Sequence, residues 1–135
     1  MKRQILIVED DELVYRSLAH MLDGDNYQLL WTQTGHEALR RSLDHSYDLL
    51  VLDLNVRDID SSRALDWFGR LHPFLPVILL GGEQDHEAWA GGAVLLRKPV
   101  ERAKLLQTVE NLLAESHQEQ MSRMTGTLSG KVSVP

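Results

Sequence analysis

The sequence predicts an α/β fold with three layers, in which a parallel sheet of five strands carries helices on both faces. Two observations support this prediction. Short runs that are apolar at nearly every position recur along the chain, and a segment of helical character follows each run. Fully apolar runs indicate strands buried on both faces, and strands that alternate with helices indicate a doubly wound parallel sheet.

The first two strands and helices are predicted within residues 5 to 43. Ile5 to Val8 is an apolar run and predicts the first strand. The first helix should end near Gly24. Thr34 should cap the second helix, which runs to Leu43, with Glu37 completing a capping box. Apolar residues at helical spacing are Leu13, Val14, Leu18, Met21 and Leu22, and those that alternate as in a second strand are Tyr27, Leu29 and Trp31.

The other three strands are predicted at Leu49 to Leu52, at Val77 to Leu80 and at Ala93 to Leu96, because each is an apolar run. The third helix should begin at Asp60 or Ser61 and end at about Leu71.

The last part of the chain should contain a short fourth helix and a longer fifth one. Residues 83 to 90 leave room for only a short helix. Pro99 suits the first turn of the last helix, whose apolar face consists of Leu105, Leu106, Val109, Leu112 and Leu113. The apolar periodicity then stops, so we expect one domain over residues 1–115 and a flexible tail over 116–135.

Composition excludes several classes of function. The chain has 135 residues, 43% of them hydrophobic, which is enough for one core. Its net charge of −6 argues against direct binding of nucleic acid or of an anionic membrane. The absence of cysteine excludes disulfides and thiolate metal sites. No targeting or membrane-spanning segment is evident, so we expect a cytoplasmic location.

Charged residues follow the first, third and fifth strands. The stretch ILIVEDDE leads from a strand into Glu9 and Asp10, Asp53 ends the third strand, and Lys98 follows the fifth. In the common doubly wound order 2-1-3-4-5, the first and third strands are neighbours at the switch point where ligands bind. Lys98 is then roughly 10 Å from the third strand, within reach of its side chain. Carboxylates ~5 Å apart repel by roughly 3 kcal/mol, and a bound Mg²⁺ would offset this repulsion.

Taken singly, each of these residues has an ordinary structural explanation. Acids such as Glu9 to Glu12 are favoured at a helix N-terminus, Asp53 suits a turn, and most lysines are solvated. Their joint occurrence resembles the receiver domain of two-component response regulators over about residues 3 to 115. The matching motifs are VEDD, LLVLDLNV and LLRKPV. The resemblance implies a flavodoxin-like (βα)₅ fold with sheet order 2-1-3-4-5, the order also found in chemotaxis receivers.

The resemblance also implies roles for the charged residues. Asp53 would accept a phosphoryl group from a phosphohistidine of a sensor histidine kinase or a phosphotransfer protein. Asp10, Asp53 and the main-chain carbonyl of Asn55 would bind Mg²⁺, and Glu9 would act on the metal mostly through water. Lys98 would pair with Asp53 and then with a phosphoryl oxygen. In this family the peptide bond before the matching proline is often cis, and backbone amides near Asn55 and Gly82 would hold phosphoryl oxygens.

Two of the positions that depart from the family pattern are those of its usual switch. The usual Thr or Ser at the end of the fourth strand, whose hydroxyl grips the phosphoryl group, is Gly81. The usual Tyr or Phe three residues before the lysine is Leu95. A charge-assisted hydrogen bond contributes ~1.5–3 kcal/mol, similar to a typical coupling energy. The departures therefore predict that phosphorylation is retained while the usual conformational switch is weak or rerouted.

Three classes of function remain for comparison. The first is a phosphoacceptor receiver, which is not an enzyme, whose downstream protein partner is unknown and which has no direct nucleic-acid or membrane partner. The second is a phosphorylation-independent adaptor that uses the face from the fourth strand to the fifth helix. The third, a phosphatase resembling the haloacid dehalogenases, needs a second Asp where this chain has Asn55. The sequence leaves homodimer formation open.

Overall fold

The computed structural model describes residues 2–58, 61–82, 93–115 and 118–122. Five strands form one parallel sheet with the order β2-β1-β3-β4-β5, which confirms the predicted doubly wound fold. The strands are β1 (Arg3–Val8), β2 (Tyr27–Thr32), β3 (Leu49–Asp53), β4 (Val77–Gly81) and β5 (Val94–Arg97). The principal helices of the described ranges are α1 (Glu12–Met21), α2 (Gly35–Asp44), α3 (Ser61–Leu71) and α4 (Arg102–Ala114).

The sheet separates two apolar layers, because successive strand residues face opposite sides. Ile5 and Ile7 of β1 face α1 and α4, whereas Leu6 and Val8 face α2 and α3. The first layer also contains Leu18, Leu105 and Val109, and the second contains Ala38, Ala64 and Phe68. Strands β1, β3 and β4 are covered on both faces, which is why their sequences read as continuous apolar runs.

Side-chain caps set the starts of the first two helices. Asp11 precedes α1 and accepts hydrogen bonds from the backbone N–H groups of Leu13 and Val14. Thr34 precedes α2, and its hydroxyl accepts from the backbone N–H of Glu37 at 3.1 Å. Each cap satisfies N–H groups that have no partner within the helix. Both caps therefore fix where the chain leaves the carboxyl edge of the sheet and turns into a helix.

The last helix begins later than the sequence predicted. Pro99 is not in its first turn, because α4 starts at Arg102 after Glu101 in the capping position. The intervening residues have other contacts: Lys98 reaches toward β3, and Val100 packs against the apolar layer under α1 and α4.

Other predictions concern segments that are only partly described. The predicted short helix over residues 83 to 90 lies outside the described residues. In the tail, residues 118–122 have helical backbone, and Gln120 Nε2 donates to the carbonyl of Phe74 at 2.9 Å. The flexible tail as a whole stays a prediction. None of the helices in the described ranges has the length and apolarity needed to cross a bilayer.

Candidate phosphoacceptor site

Asp53 is the last residue of β3 and lies at the carboxyl edge of the sheet with only 1% of its surface exposed. Its Oδ2 atom is 2.6 Å from the Nζ atom of Lys98. Its Oδ1 atom accepts a hydrogen bond of 2.8 Å from the backbone N–H of Asn55. A buried carboxylate needs such partners, because burial without them would favour its neutral form.

The backbone of the β4–β5 pair positions Lys98. The Lys98 N–H donates to the carbonyl of Gly81 at 2.7 Å, one step beyond the register pair of Gly81 with Arg97. The Arg97 guanidinium donates to the carbonyl of Gly82 at 2.9 Å. The Lys98–Pro99 peptide bond is cis. These contacts extend the strand ladder and fix the point from which the ammonium group reaches across β4 to Asp53.

Glu9 follows β1, the neighbour of β3, and is 2% exposed. Its Oε2 atom accepts from the backbone N–H of Asp11 at 3.1 Å. Its Oε1 atom is buried and has no hydrogen-bond partner among the described residues. An unpartnered buried carboxyl oxygen is costly, so this atom requires a proton, a water molecule or a cation.

The two neighbouring carboxyls have opposite pKa shifts. Burial, together with the interaction with the Asp53 carboxylate, raises the pKa of Glu9 to about 8. Burial alone would also raise the pKa of Asp53. The interactions with Glu9, Lys98 and the Asn55 N–H outweigh this effect and hold the pKa of Asp53 below its usual 3.8. Near neutral pH and without a metal, these opposite shifts favour a neutral Glu9 beside an ionised Asp53.

The donor set suits Mg²⁺. The orphaned Oε1 atom of Glu9 lies in the same buried cluster as the anionic Asp53, and hard oxygen donors of this kind bind Mg²⁺ together with waters. Asp10 is exposed, and in the described part of the chain no three acidic or histidine side chains converge as a preformed metal cluster. The predicted ligand roles of Asp10 and the Asn55 carbonyl therefore stay predictions.

Trp31 contributes to the site, although no motif in the sequence predicts this position for it. Its indole Nε1 donates a hydrogen bond of 2.7 Å to the main-chain carbonyl of Glu9. Its ring stacks on Tyr15 of α1 with centroids 4.3 Å apart and planes 1° from parallel. The Glu9 N–H also donates to the carbonyl of Thr32 at 3.0 Å. The main-chain N–H and carbonyl groups of Glu9 are therefore both hydrogen-bonded to residues of β2. No spacing within the sequence predicts these contacts.

Comparison with known proteins identifies the family of this chain. Residues 5–110 match the family model of the response regulator receiver domain. The chain belongs to this family. The match spans the stretch from β1 to α4 and includes Glu9, Asp53 and Lys98.

Two relatives are similar in sequence to this chain over most of its length. The transcriptional regulatory protein ZraR of Salmonella typhimurium is 29% identical over an alignment of 122 residues that covers 87% of this chain and 28% of that protein. The chain thus spans under a third of this relative. The polar-differentiation response regulator DivK of Brucella ovis is 22% identical over 86% of this chain and 100% of DivK.

A solved receiver has the same fold. The receiver domain of a sensor histidine kinase from Pseudomonas aeruginosa, with magnesium coordinated in its active-site cleft, has a TM-score of 0.77. Its sequence identity to this chain is 22%, and the match covers 85% of this chain and 100% of that one.

Two further positions, Gly81 and Leu95, were expected to bear on a conformational switch. Gly81 ends β4 and contributes a buried backbone but no hydroxyl. Leu95 of β5 is partly buried and packs into the apolar layer under α2 and α3. A leucine in that layer has no polar end that could bind a phosphoryl oxygen, and Gly81 has no side chain that could do so.

Proposed function

We propose that this receiver accepts a phosphoryl group on Asp53 from a phosphohistidine of a sensor histidine kinase or a phosphotransfer protein, with Mg²⁺ as cofactor. The observation that carries the proposal is the buried Asp53 carboxylate, held 2.6 Å from Lys98 with its pKa lowered. A carboxylate nucleophile must be ionised, and its pocket must neutralise the charge of the incoming group. Asp53 and Lys98 meet both needs.

The transfer follows from ordinary phosphoryl chemistry. An oxygen of Asp53 forms a bond to phosphorus while the bond between phosphorus and the donor imidazole nitrogen breaks, and that nitrogen then takes a proton from solvent. Lys98 leaves its pairing with Asp53 for a phosphoryl oxygen, and the backbone amides near Asn55 and Gly82 orient the others. Bound Mg²⁺ would be held by Glu9, Asp10, Asp53 and the Asn55 carbonyl, and it would neutralise phosphoryl charge.

In this proposal the chain is a stoichiometric phosphoacceptor in the cytoplasm and not an enzyme that turns over a substrate. Its readout differs from that of typical receivers, because Gly81 and Leu95 lack the hydroxyl and the ring of the usual switch. A ligand shifts a conformational equilibrium only by its differential affinity for the two states. A phosphoryl group without the hydroxyl contact therefore shifts this receiver weakly or through other residues.

The test is the intact mass of the protein after incubation with Mg²⁺ and acetyl phosphate. A gain of one phosphoryl group that is lost in Asp53→Asn is the expected result. Asp58→Asn is the matched control, because Asp58 lies five positions on but caps α2 instead of pairing with Lys98. No gain, together with absent Mg²⁺ binding, would contradict the proposal and favour the phosphorylation-independent adaptor.

A further inference from the structure

A groove of about 420 Å³ lies between α2 and α3, on the face of the sheet opposite α1 and α4. Its apolar lining consists of Leu39, Leu43, Trp67 and Leu71. We call it the α2–α3 groove. It is separate from the acceptor site, whose Asp53, Glu9 and Lys98 side chains do not line it.

The apolar residues of this groove face solvent to an unusual degree. Leu43 is 67% exposed, Trp67 is 54% exposed and Leu71 is 37% exposed. Single exposed apolar residues are common on protein surfaces, but a contiguous patch that includes a tryptophan marks a binding surface.

The spacing of these residues fits one shape of ligand. Leu39 and Leu43 are four positions apart on α2, and Trp67 and Leu71 are four positions apart on α3, so each helix presents one edge of the groove. A third helix laid between two such edges would bury a stripe of residues at positions i, i+3 or i+4, and i+7.

The charged side chains around the groove indicate the charge that a partner should carry. Arg40 of α2 and Arg63 of α3 line it. Among the described lining residues the one acid is Asp58, which accepts from the backbone N–H groups of Gly35 at 2.8 Å and His36 at 3.0 Å. Asp58 thereby caps the N-terminus of α2, where the helix dipole partly offsets its charge. In the described part of the lining, two arginines therefore stand against one acid, on a chain of net charge −6.

We propose that the α2–α3 groove docks an amphipathic helix of a partner protein, with an apolar stripe flanked by glutamate or aspartate. A second copy of this chain fits poorly, because a two-fold pairing would set the arginines of one groove against those of the other. The tail beyond residue 122 fits poorly too, because it contains Arg123 and Lys131 and no acid. The proposal does not depend on phosphorylation of Asp53.

The experiment is a selection from a display library of helical peptides, randomised on one face, against the full chain. Selected peptides are synthesised, and their affinities are measured by fluorescence anisotropy in EDTA, so that the acceptor chemistry plays no part. We expect the enriched peptides to be acidic with an apolar i, i+3 or i+4, i+7 stripe. Trp67→Ala should weaken the affinity of these peptides at least tenfold. Arg40→Glu should weaken it about fivefold, and this effect should be smaller in high salt.

Matched variants separate docking from loss of the fold. Leu13→Ala removes an exposed leucine of α1, on the other face of the sheet, and should leave the affinity unchanged. Thermal unfolding confirms that each variant is folded. The proposal is overturned if no helical peptide is enriched, if the enriched peptides are neutral or basic, or if Trp67→Ala binds them as well as the parent does. A dimer in sedimentation equilibrium that Trp67→Ala abolishes would also overturn it, in favour of a second copy.

Discussion

The acceptor cluster of Glu9, Asp53 and Lys98 and the switch positions Gly81 and Leu95 are built differently. The acceptor cluster is buried and polar, and its atoms are held by an ion pair of 2.6 Å and by backbone N–H groups. The switch positions offer only a bare backbone and an apolar side chain. On the proposed function, the residues that would carry phosphoryl chemistry are therefore different from those that would carry its readout.

That separation has a physical basis. The acceptor chemistry needs charge placed within a few ångströms of phosphorus, and three strand ends supply it. The readout needs an element with two arrangements that the phosphoryl group can tell apart. A chain can retain the first without the second, because different residues carry them.

The largest expected effect comes from removing the cation of the acceptor cluster. Lys98→Met should lower the rate of phosphorylation by acetyl phosphate about 100-fold, since a preorganised charge partner of the transferred group is lost. The rate is measured by intact mass against time. Lys104→Met makes the same change on the exposed side of α4 and should react at the parental rate. Equal rates for the two variants would show that the pairing of Lys98 with Asp53 is only structural.

A hydroxyl introduced at position 81 tests the role of the switch positions. Gly81→Thr should strengthen the conformational response to phosphorylation by ~1.5–3 kcal/mol, the contribution of one charge-assisted hydrogen bond. The response is read as the difference in amide hydrogen exchange between phosphorylated and unphosphorylated protein. Gly81→Ala adds the side-chain carbon without the hydroxyl and serves as control. If Gly81→Thr leaves the response of the parent protein unchanged, the missing hydroxyl is not what weakens the switch.

The raised pKa of Glu9 predicts a pH dependence of stability in the metal-free protein. Folded Glu9 binds its proton up to a pKa of about 8, against an ordinary value of 4.5. Its contribution to the free energy of unfolding is therefore complete below about pH 4.5 and is lost as the pH rises toward 8, at up to ~1.4 kcal/mol per pH unit. The lowered pKa of Asp53 acts only below 3.8 and leaves this window unaffected.

Urea unfolding in EDTA between pH 5 and 8 measures this effect. Glu9→Gln has no proton to lose, so its stability should fall less steeply over the same range. Parallel curves for the parent and the variant would mean that Glu9 is already ionised in the folded protein.

The smallest expected effect concerns the support of Glu9 by Trp31. Trp31→Phe keeps an aromatic ring against Tyr15 but removes the indole N–H that donates to the Glu9 carbonyl. We expect Mg²⁺ affinity, measured by calorimetry, to weaken about fivefold, as for the loss of one hydrogen bond of ~1 kcal/mol. Tyr15→Phe keeps both the stack and the donor and should bind as the parent does. Unchanged affinity in Trp31→Phe would make the indole contact a packing feature alone.

The predictions from sequence succeeded where the signal is local. The strands were found from apolar runs such as Leu49 to Leu52, and the cap of α2 from Thr34, because burial and capping act over a few residues. The start of the last helix was predicted too early, at Pro99 instead of Arg102. The sequence around Pro99 does not show that Lys98 and Val100 are engaged in contacts with distant parts of the chain.

The sequence by itself determined the doubly wound fold and the order in which Glu9, Asp53 and Lys98 reach the edge of the sheet. Only the tertiary structure decided that the Lys98 ammonium lies 2.6 Å from Asp53, that Trp31 holds the Glu9 carbonyl, and that Leu43 and Trp67 border one exposed groove. Periodicity fixes which face of an element is buried. Contacts between residues 22 or 45 positions apart depend on how the packed elements finally sit against one another.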